Sequence, residues 1–141
     1  MYDNGQLYNE DGEIVYTYQN NGAIFPDIDL FKGDELIGQV RWRASLLHSY
    51  DLSYRGEAIG TLDQEFSLTA NRLYIDSLGW EVEGNFLAYR FDIYNEEKLL
   101  ATLDKELFRM SHHYYIDILD EDYEELLILI IIAINQFNRG C

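Results

Sequence analysis

Asp120-Glu121-Asp122-Tyr123-Glu124-Glu125-Leu126-Leu127-Ile128-Leu129-Ile130-Ile131-Ile132-Ala133-Ile134 sets a short acidic stretch directly against nine consecutive apolar residues. As an α-helix the apolar run rises about 1.5 Å per residue, or roughly 14 Å, whereas a bilayer core is about 30 Å thick. No transmembrane span is expected from it. A segment apolar on every side must instead be covered on every side by the rest of the chain. Five of the nine residues are Ile, and β-branching favours strands. The flanks favour a helix: Asp120 can cap the first turn, and Asp122, Glu124 and Glu125 complement the positive end of a helix dipole. Arg139 and Gly140 close the far end. The reading is a helix over about 122–137, with Leu126, Leu127, Leu129, Ile130, Ile131 and Ile134 as the structural core.

Upstream, short aromatic and β-branched runs recur, each closed by Gly, Asn or Asp. Leu7-Tyr8 and Ile14-Val15-Tyr16-Thr17-Tyr18 flank Asp11-Gly12, a strong hairpin signal. Further runs lie at 28–31, 36–43, 50–54, 58–62, 73–76, 80–83, 87–94, 99–103 and 114–118. Twelve Tyr, seven Phe and a single Pro suit sheet. The reading is mainly β, with about eleven strands at near-even spacing over about 5–118, forming a barrel or sandwich. The chain also repeats. Thr61-Leu62-Asp63 and Thr102-Leu103-Asp104 stand 41 positions apart, as do Tyr74-Ile75-Asp76 and Tyr115-Ile116-Asp117, and Gly38-Gln39-Val40 echoes Gly60-Thr61-Leu62 at 22. Copies of one hairpin unit predict a sheet that closes on itself and hides its edges. Alternation places Val40 and Trp42 on one face with Arg41 and Arg43 on the other, and sets Leu87, Tyr89, Phe91 and Ile93 against Ala88, Arg90, Asp92 and Tyr94.

A length of 141 residues without linker composition fits one domain over 1–141. The formal charge is −16, from 26 acids against 10 bases, which repels nucleic acid and disfavours simple docking on anionic lipid. Its plain reading is solubility. The single cysteine, Cys141, permits no internal disulfide, and Met1-Tyr2-Asp3-Asn4-Gly5 carries no signal-peptide pattern, so a cytoplasmic protein is expected.

Few residues suggest chemistry. His112 and His113 would face opposite ways in a strand, and His48 is distant in sequence, so ordinary histidines outweigh a zinc site. The acids Asp117, Asp120, Glu121, Asp122, Glu124 and Glu125 can supply oxygen ligands for calcium, but the run lacks the mid-loop glycine of an EF-hand, and helix capping accounts for several of them. Asp63 with Glu65 and Asp104 with Glu106 resemble paired carboxylates, yet they recur at the repeat interval, as structural equivalents do. Arg41, Arg43 and Arg90 form an anion site only if their strands are neighbours; paired surface charges are the plainer role. No nucleophile elbow or phosphate loop is present. No enzyme, cofactor or metal is expected.

Trp80-Glu81-Val82-Glu83-Gly84-Asn85-Phe86-Leu87-Ala88-Tyr89-Arg90-Phe91, supported by Tyr115-Ile116-Asp117-Ile118 and the acidic and apolar tail through Ile134, resembles the LURP-one-related family. That family lies within the tubby carboxy-terminal-like superfamily, together with the phospholipid scramblases. The resemblance implies a closed antiparallel barrel of about twelve strands around a central carboxy-terminal helix. It implies a non-catalytic binding or scaffolding module. Tubby-like relatives bring phosphoinositide headgroups to Arg41, Arg43 and Arg90, and scramblase relatives bring calcium to Asp117, Asp120 and Asp122. The start departs from the pattern. Relatives open with a basic-aromatic strand before the first Asp-Gly turn, whereas this chain begins almost at that turn. The first strand is expected to be absent or very short, leaving a seam for a second copy or a partner strand.

Overall fold

A computed structural model describes residues 4–22, 24–43, 49–64, 72–75, 78–85, 90–105 and 114–139. Among them the aromatic and β-branched runs form eleven strands: β1 Asn4–Tyr8, β2 Ile14–Asn20, β3 Asp27–Lys32, β4 Glu35–Trp42, β5 Ser49–Tyr54, β6 Glu57–Gln64, β7 Arg72–Ile75, β8 Trp80–Asn85, β9 Arg90–Asn95, β10 Lys98–Lys105 and β11 Tyr114–Ile118. Each pairs antiparallel with the next, giving one sheet in the order β1 to β11. The turns use backbone geometry their residues allow. Arg55 and Gly56 both have positive φ, 50° and 83°, as a two-residue type I′ hairpin needs. Gly12 has a φ of 80° at the predicted Asp11-Gly12 turn.

Four hairpins share one irregularity. The register skips a single residue on the second strand, at Val15, Ile37, Ile59 and Leu100. Each extra residue is a β-bulge, which bends its strand and tightens the twist. Val15, Ile37 and Ile59 stand 22 residues apart, and Leu100 lies 41 beyond Ile59. These are the intervals of the sequence repeats, so the repeats mark where the sheet bends.

A 3-10 turn, Glu121–Tyr123, leads into α1, Glu124–Arg139. The predicted start at 122 falls inside this turn, because Asp120 caps the turn by accepting from the Asp122 N–H. Every residue from Leu126 to Gln136 is buried. Leu127, Leu129, Ile130, Ala133 and Ile134 are 0% exposed, and Ile128, Ile131 and Ile132 at most 5%, so no side of the helix meets solvent. The sheet curls around it. Tyr16 and Leu30 from early strands and Phe91, Ile93 and Leu103 from late ones join the helix in one core. Alternation holds where it can be read: Val40, Phe91 and Ile93 are buried, Trp42 is half-buried, and Arg41, Arg43 and Arg90 are exposed. Leu87, Ala88 and Tyr89 lie outside the described residues.

One contact sets how closely sheet and helix approach. A Cβ on Gly38 in β4 would stand 2.8 Å from Leu129 Cδ1 and 3.2 Å from the Ser53 carbonyl oxygen. Gly38→Ala is therefore expected to destabilise by about 1–3 kcal/mol. Denaturant unfolding of the double variant with Leu129→Ala checks the cause: the alanine at 38 should then cost clearly less, because the clash with Leu129 is gone.

The closed barrel needs correction. Among the described residues no ladder joins β1 to β11, so the hydrogen-bonded sheet is open along one line. Direction disfavours closure without forbidding it, because a closing ladder here would have to be parallel and slightly less stable per residue. In a meander of eleven antiparallel strands, the first and last run the same way, and neither offers the other an antiparallel neighbour.

Candidate functional site

Two features are built where helix and sheet edges meet: a polar collar around the helix start, and the open line between β1 and β11. The collar begins with Glu124 and Glu125, which the chain places in the first turn of α1. Glu124 Oε2 accepts from the Tyr16 hydroxyl of β2 at 2.7 Å. Glu125 Oε1 accepts from the Tyr54 hydroxyl of β5 at 2.7 Å and from Arg55 Nη2 at 2.8 Å, while Oε2 lies 3.5 Å from Lys32 Nζ. Arg55 also pairs with Glu35 at the start of β4. On the opposite flank, the Trp80 ring of β8 meets Tyr123 edge-on at 5.2 Å, and Lys98 Nζ of β10 donates to Asp120 at 2.8 Å.

Titration follows this geometry. Burial, reinforced by the bond to Glu124, pushes the Tyr16 hydroxyl well above its ordinary range. Burial alone would raise the Glu125 carboxyl, but bonds from Tyr54 and Arg55 and the nearby cations hold it below its usual value. The Lys98 contact likewise holds Asp120 down. These groups neutralise one another, and the collar anchors the helix.

The open line is different. β1 is Asn4-Gly5-Gln6-Leu7-Tyr8 and β11 is Tyr114-Tyr115-Ile116-Asp117-Ile118. Between them they hold one charged residue, Asp117, and neither proline nor lysine, two of the usual protections against edge pairing. Leu7, Ile116 and Ile118 pack against the common core. On the other face, Tyr8 (59% exposed), its cross-strand partner Ile14 (52%), Tyr115 (61%) and, just beyond β11, Leu119 (54%) leave large apolar groups in solvent. The tip of β1 is also tied in: Gly5 faces Tyr18 across the ladder, and that ring covers it where a Cβ would stand.

The sequence candidates distribute as follows. Arg41 sits 3.2 Å from Asp27 on the neighbouring strand, and Arg90 lies 3.7 Å from Asp92. β5 to β8 stand between their strands, so the adjacency an anion site of Arg41, Arg43 and Arg90 needs is absent. Asp120 is engaged by Lys98 and by its capping bond, Asp122 is exposed in the 3-10 turn, and Asp117 is exposed on β11. Among the described residues no cluster of His, Cys, Asp or Glu is arranged to hold a metal ion. Asp63 accepts from the Ser49 and Thr61 hydroxyls, at 2.5 and 2.7 Å. Its predicted companion Glu65 lies outside the described residues, as do Glu106, His48, His112, His113 and Cys141. Among the described residues no helix is long and apolar enough to cross a membrane.

Tyr16, Lys32, Tyr54 and Arg55 escaped the sequence reading, since nothing local ties them to the helix. The seam residues Tyr8, Ile14 and Leu119 escaped it too. Their one signal is an apolar side chain at a turn-proximal position, where polar residues are usual. A family model described as LURP-one-related matches residues 2–135. No curated protein and no solved structure matches the chain.

Proposed function

The chain belongs to the LURP-one-related family, and we propose that it is a non-catalytic binding module that holds an extended partner segment in the seam between β1 and β11. One observation carries this reading: two strand edges with no ladder partner among the described residues border the same core beneath exposed Tyr8, Ile14, Tyr115 and Leu119. Free edges are templates for strand addition, with main-chain bonds supplying affinity and alternate side chains supplying selectivity. A non-catalytic role is supported by the collar, where the shifted Tyr16, Glu125 and Asp120 are all spent on holding the helix. A single cysteine suits work in the cytoplasm.

Amide exchange tests the reading. In the free chain the amides of β1 and β11 should exchange faster than those of β4 and β5. On titration with a panel of extended peptides of about ten residues, binders should slow both edges. Binding that leaves both edges fast would refute it.

A second reading, recognition of phospholipid headgroups, draws on the opposite end of the sheet. Phe25 stacks on Trp42 with ring centroids 3.9 Å apart, Ile24 beside it is 84% exposed, and Arg41 and Arg43 flank Trp42 in the chain. Apolar rings beside cations suit a lipid surface, although the net charge of −16 opposes an anionic one. Co-sedimentation with phosphoinositide vesicles, with and without calcium, decides. The chain is expected to stay in the supernatant in both; sedimentation abolished by replacing Arg41 and Arg43 with Ala would favour the second reading.

A further inference from the structure

We infer that the seam takes one strand only, alternating apolar and basic residues and running antiparallel to both β1 and β11. This rests on the seam reading above and specifies its occupant. The first step is parity. Neighbours alternate in direction through eleven strands, so β1 and β11 point the same way. A single strand inserted in the opposite sense is antiparallel to both edges. A hairpin cannot do this: its second strand would meet the far edge in parallel, with the less favourable ladder. β1 and β11 are five residues each, which sets the length of ladder on offer.

The second step is the side chains. A strand in the gap sends alternate residues inward beside Leu7, Ile116 and Ile118, where only apolar groups avoid an unpaired buried charge. Its other residues lie outward among Tyr8, Ile14 and Tyr115. The third step is charge. Residues 1–31 hold six acids and no Lys or Arg, and residues 110–138 again hold six acids and no Lys or Arg. Of these, Asp27, Asp120 and Glu125 are paired with Arg41, Lys98 and Arg55, which leaves Glu10, Asp11 and Glu13 between β1 and β2, and Asp117, Glu121 and Asp122 on and just beyond β11, as acids with no ion pair among the described residues. Lys or Arg at the outward positions complements that field, whereas acids there meet repulsion from both sides.

Two synthetic peptides of about seven residues test this, identical in their apolar alternation and differing only in Lys or Glu at the remaining positions. Fluorescence anisotropy should show the Lys peptide binding, more weakly as salt screens the attraction, and the Glu peptide failing to bind. Amide exchange in the complex should show protection on β1 and β11 together. Asp117 is exposed on β11, so Asp117→Lys should weaken the Lys peptide by about two- to fivefold and leave the unfolding transition in place. Equal binding of both peptides, or protection of one edge alone, overturns the inference while the seam reading survives. Failure of both peptides and of the wider panel to protect either edge removes the seam reading itself. A dimer that persists without peptide and protects β1 would make a second copy the occupant and overturn the basic-strand inference.

Discussion

Ile131→Asp is expected to leave no cooperatively folded protein. Ile131 lies within the buried stretch of α1, is 3% exposed, and has buried neighbours on both sides of it in the chain and around the helix. A carboxylate there has no cation to pair with among the buried residues, and the helix has no solvent-facing side toward which it can turn. The site must either hold an unpaired charge or force its protonation, at a cost of several kcal/mol. Typical domains have only about 5–15 kcal/mol of net stability. Circular dichroism during heating should show no sharp transition, and the protein should partition to the insoluble fraction. Ile131→Val is the control. It keeps the branched shape, and should cost only about 0.5–1.5 kcal/mol. A soluble Asp variant melting cooperatively near the parent would mean that the helix is not enclosed as described.

Removing the Glu125 carboxylate should have the next largest effect. Its side chain is 17% exposed and receives Tyr54, Arg55 and Lys32. Glu125→Ala removes the acceptor of the Tyr54 phenol and one of the two carboxylates that pair with Arg55, and should cost about 1–3 kcal/mol. The same group predicts acid sensitivity. Its folded carboxyl titrates below the ordinary value of 4.5. A folded pKa below the unfolded one contributes stability in full above the unfolded value, and that contribution is lost as pH falls through the folded value. The parent should therefore lose stability below about pH 4.5, and the gap between parent and Glu125→Gln should narrow over that range. Denaturant midpoints measured from about pH 7 to about pH 3 provide the check. A gap that stays constant to the acid limit would show that the charge of Glu125 is not what holds the collar.

Sequence and structure agree best where the physics is local or overwhelming. Nine apolar residues in a row allow one environment, and the burial from Leu126 to Ile134 follows from it. Strand count also follows, because each run is punctuated by residues suited to turns. The repeats at 22 and 41 were visible as similarity, but their meaning as bulges at Val15, Ile37, Ile59 and Leu100 needed the register. The collar was half legible. Glu124 and Glu125 could be read as partners of the helix dipole, whereas Tyr16 lies 108 residues from Glu124 and Tyr54 lies 71 from Glu125. No spacing rule connects such pairs. The grouping of the arginines was illegible for the same reason, since only strand order shows that Arg41 and Arg90 stand on strands that are not neighbours. An absent or very short first strand is what the family resemblance implies, whereas a five-residue β1, Asn4–Tyr8, precedes the Asp11-Gly12 turn; that β1 and β11 share a direction is a property of the assembled sheet.

The order of elements bears on biosynthesis. The segment that fills the centre, α1, comes after every strand that surrounds it. On a translating ribosome, at about 5–20 residues per second, the strands emerge for several seconds with nothing to close upon. During that interval a greasy, unmatched set of hairpins is exposed to its neighbours, and the arrival of the last segment is what commits the nascent chain to its final form. Truncation just before Glu124 should therefore yield a product that chaperones hold and that never acquires protease resistance.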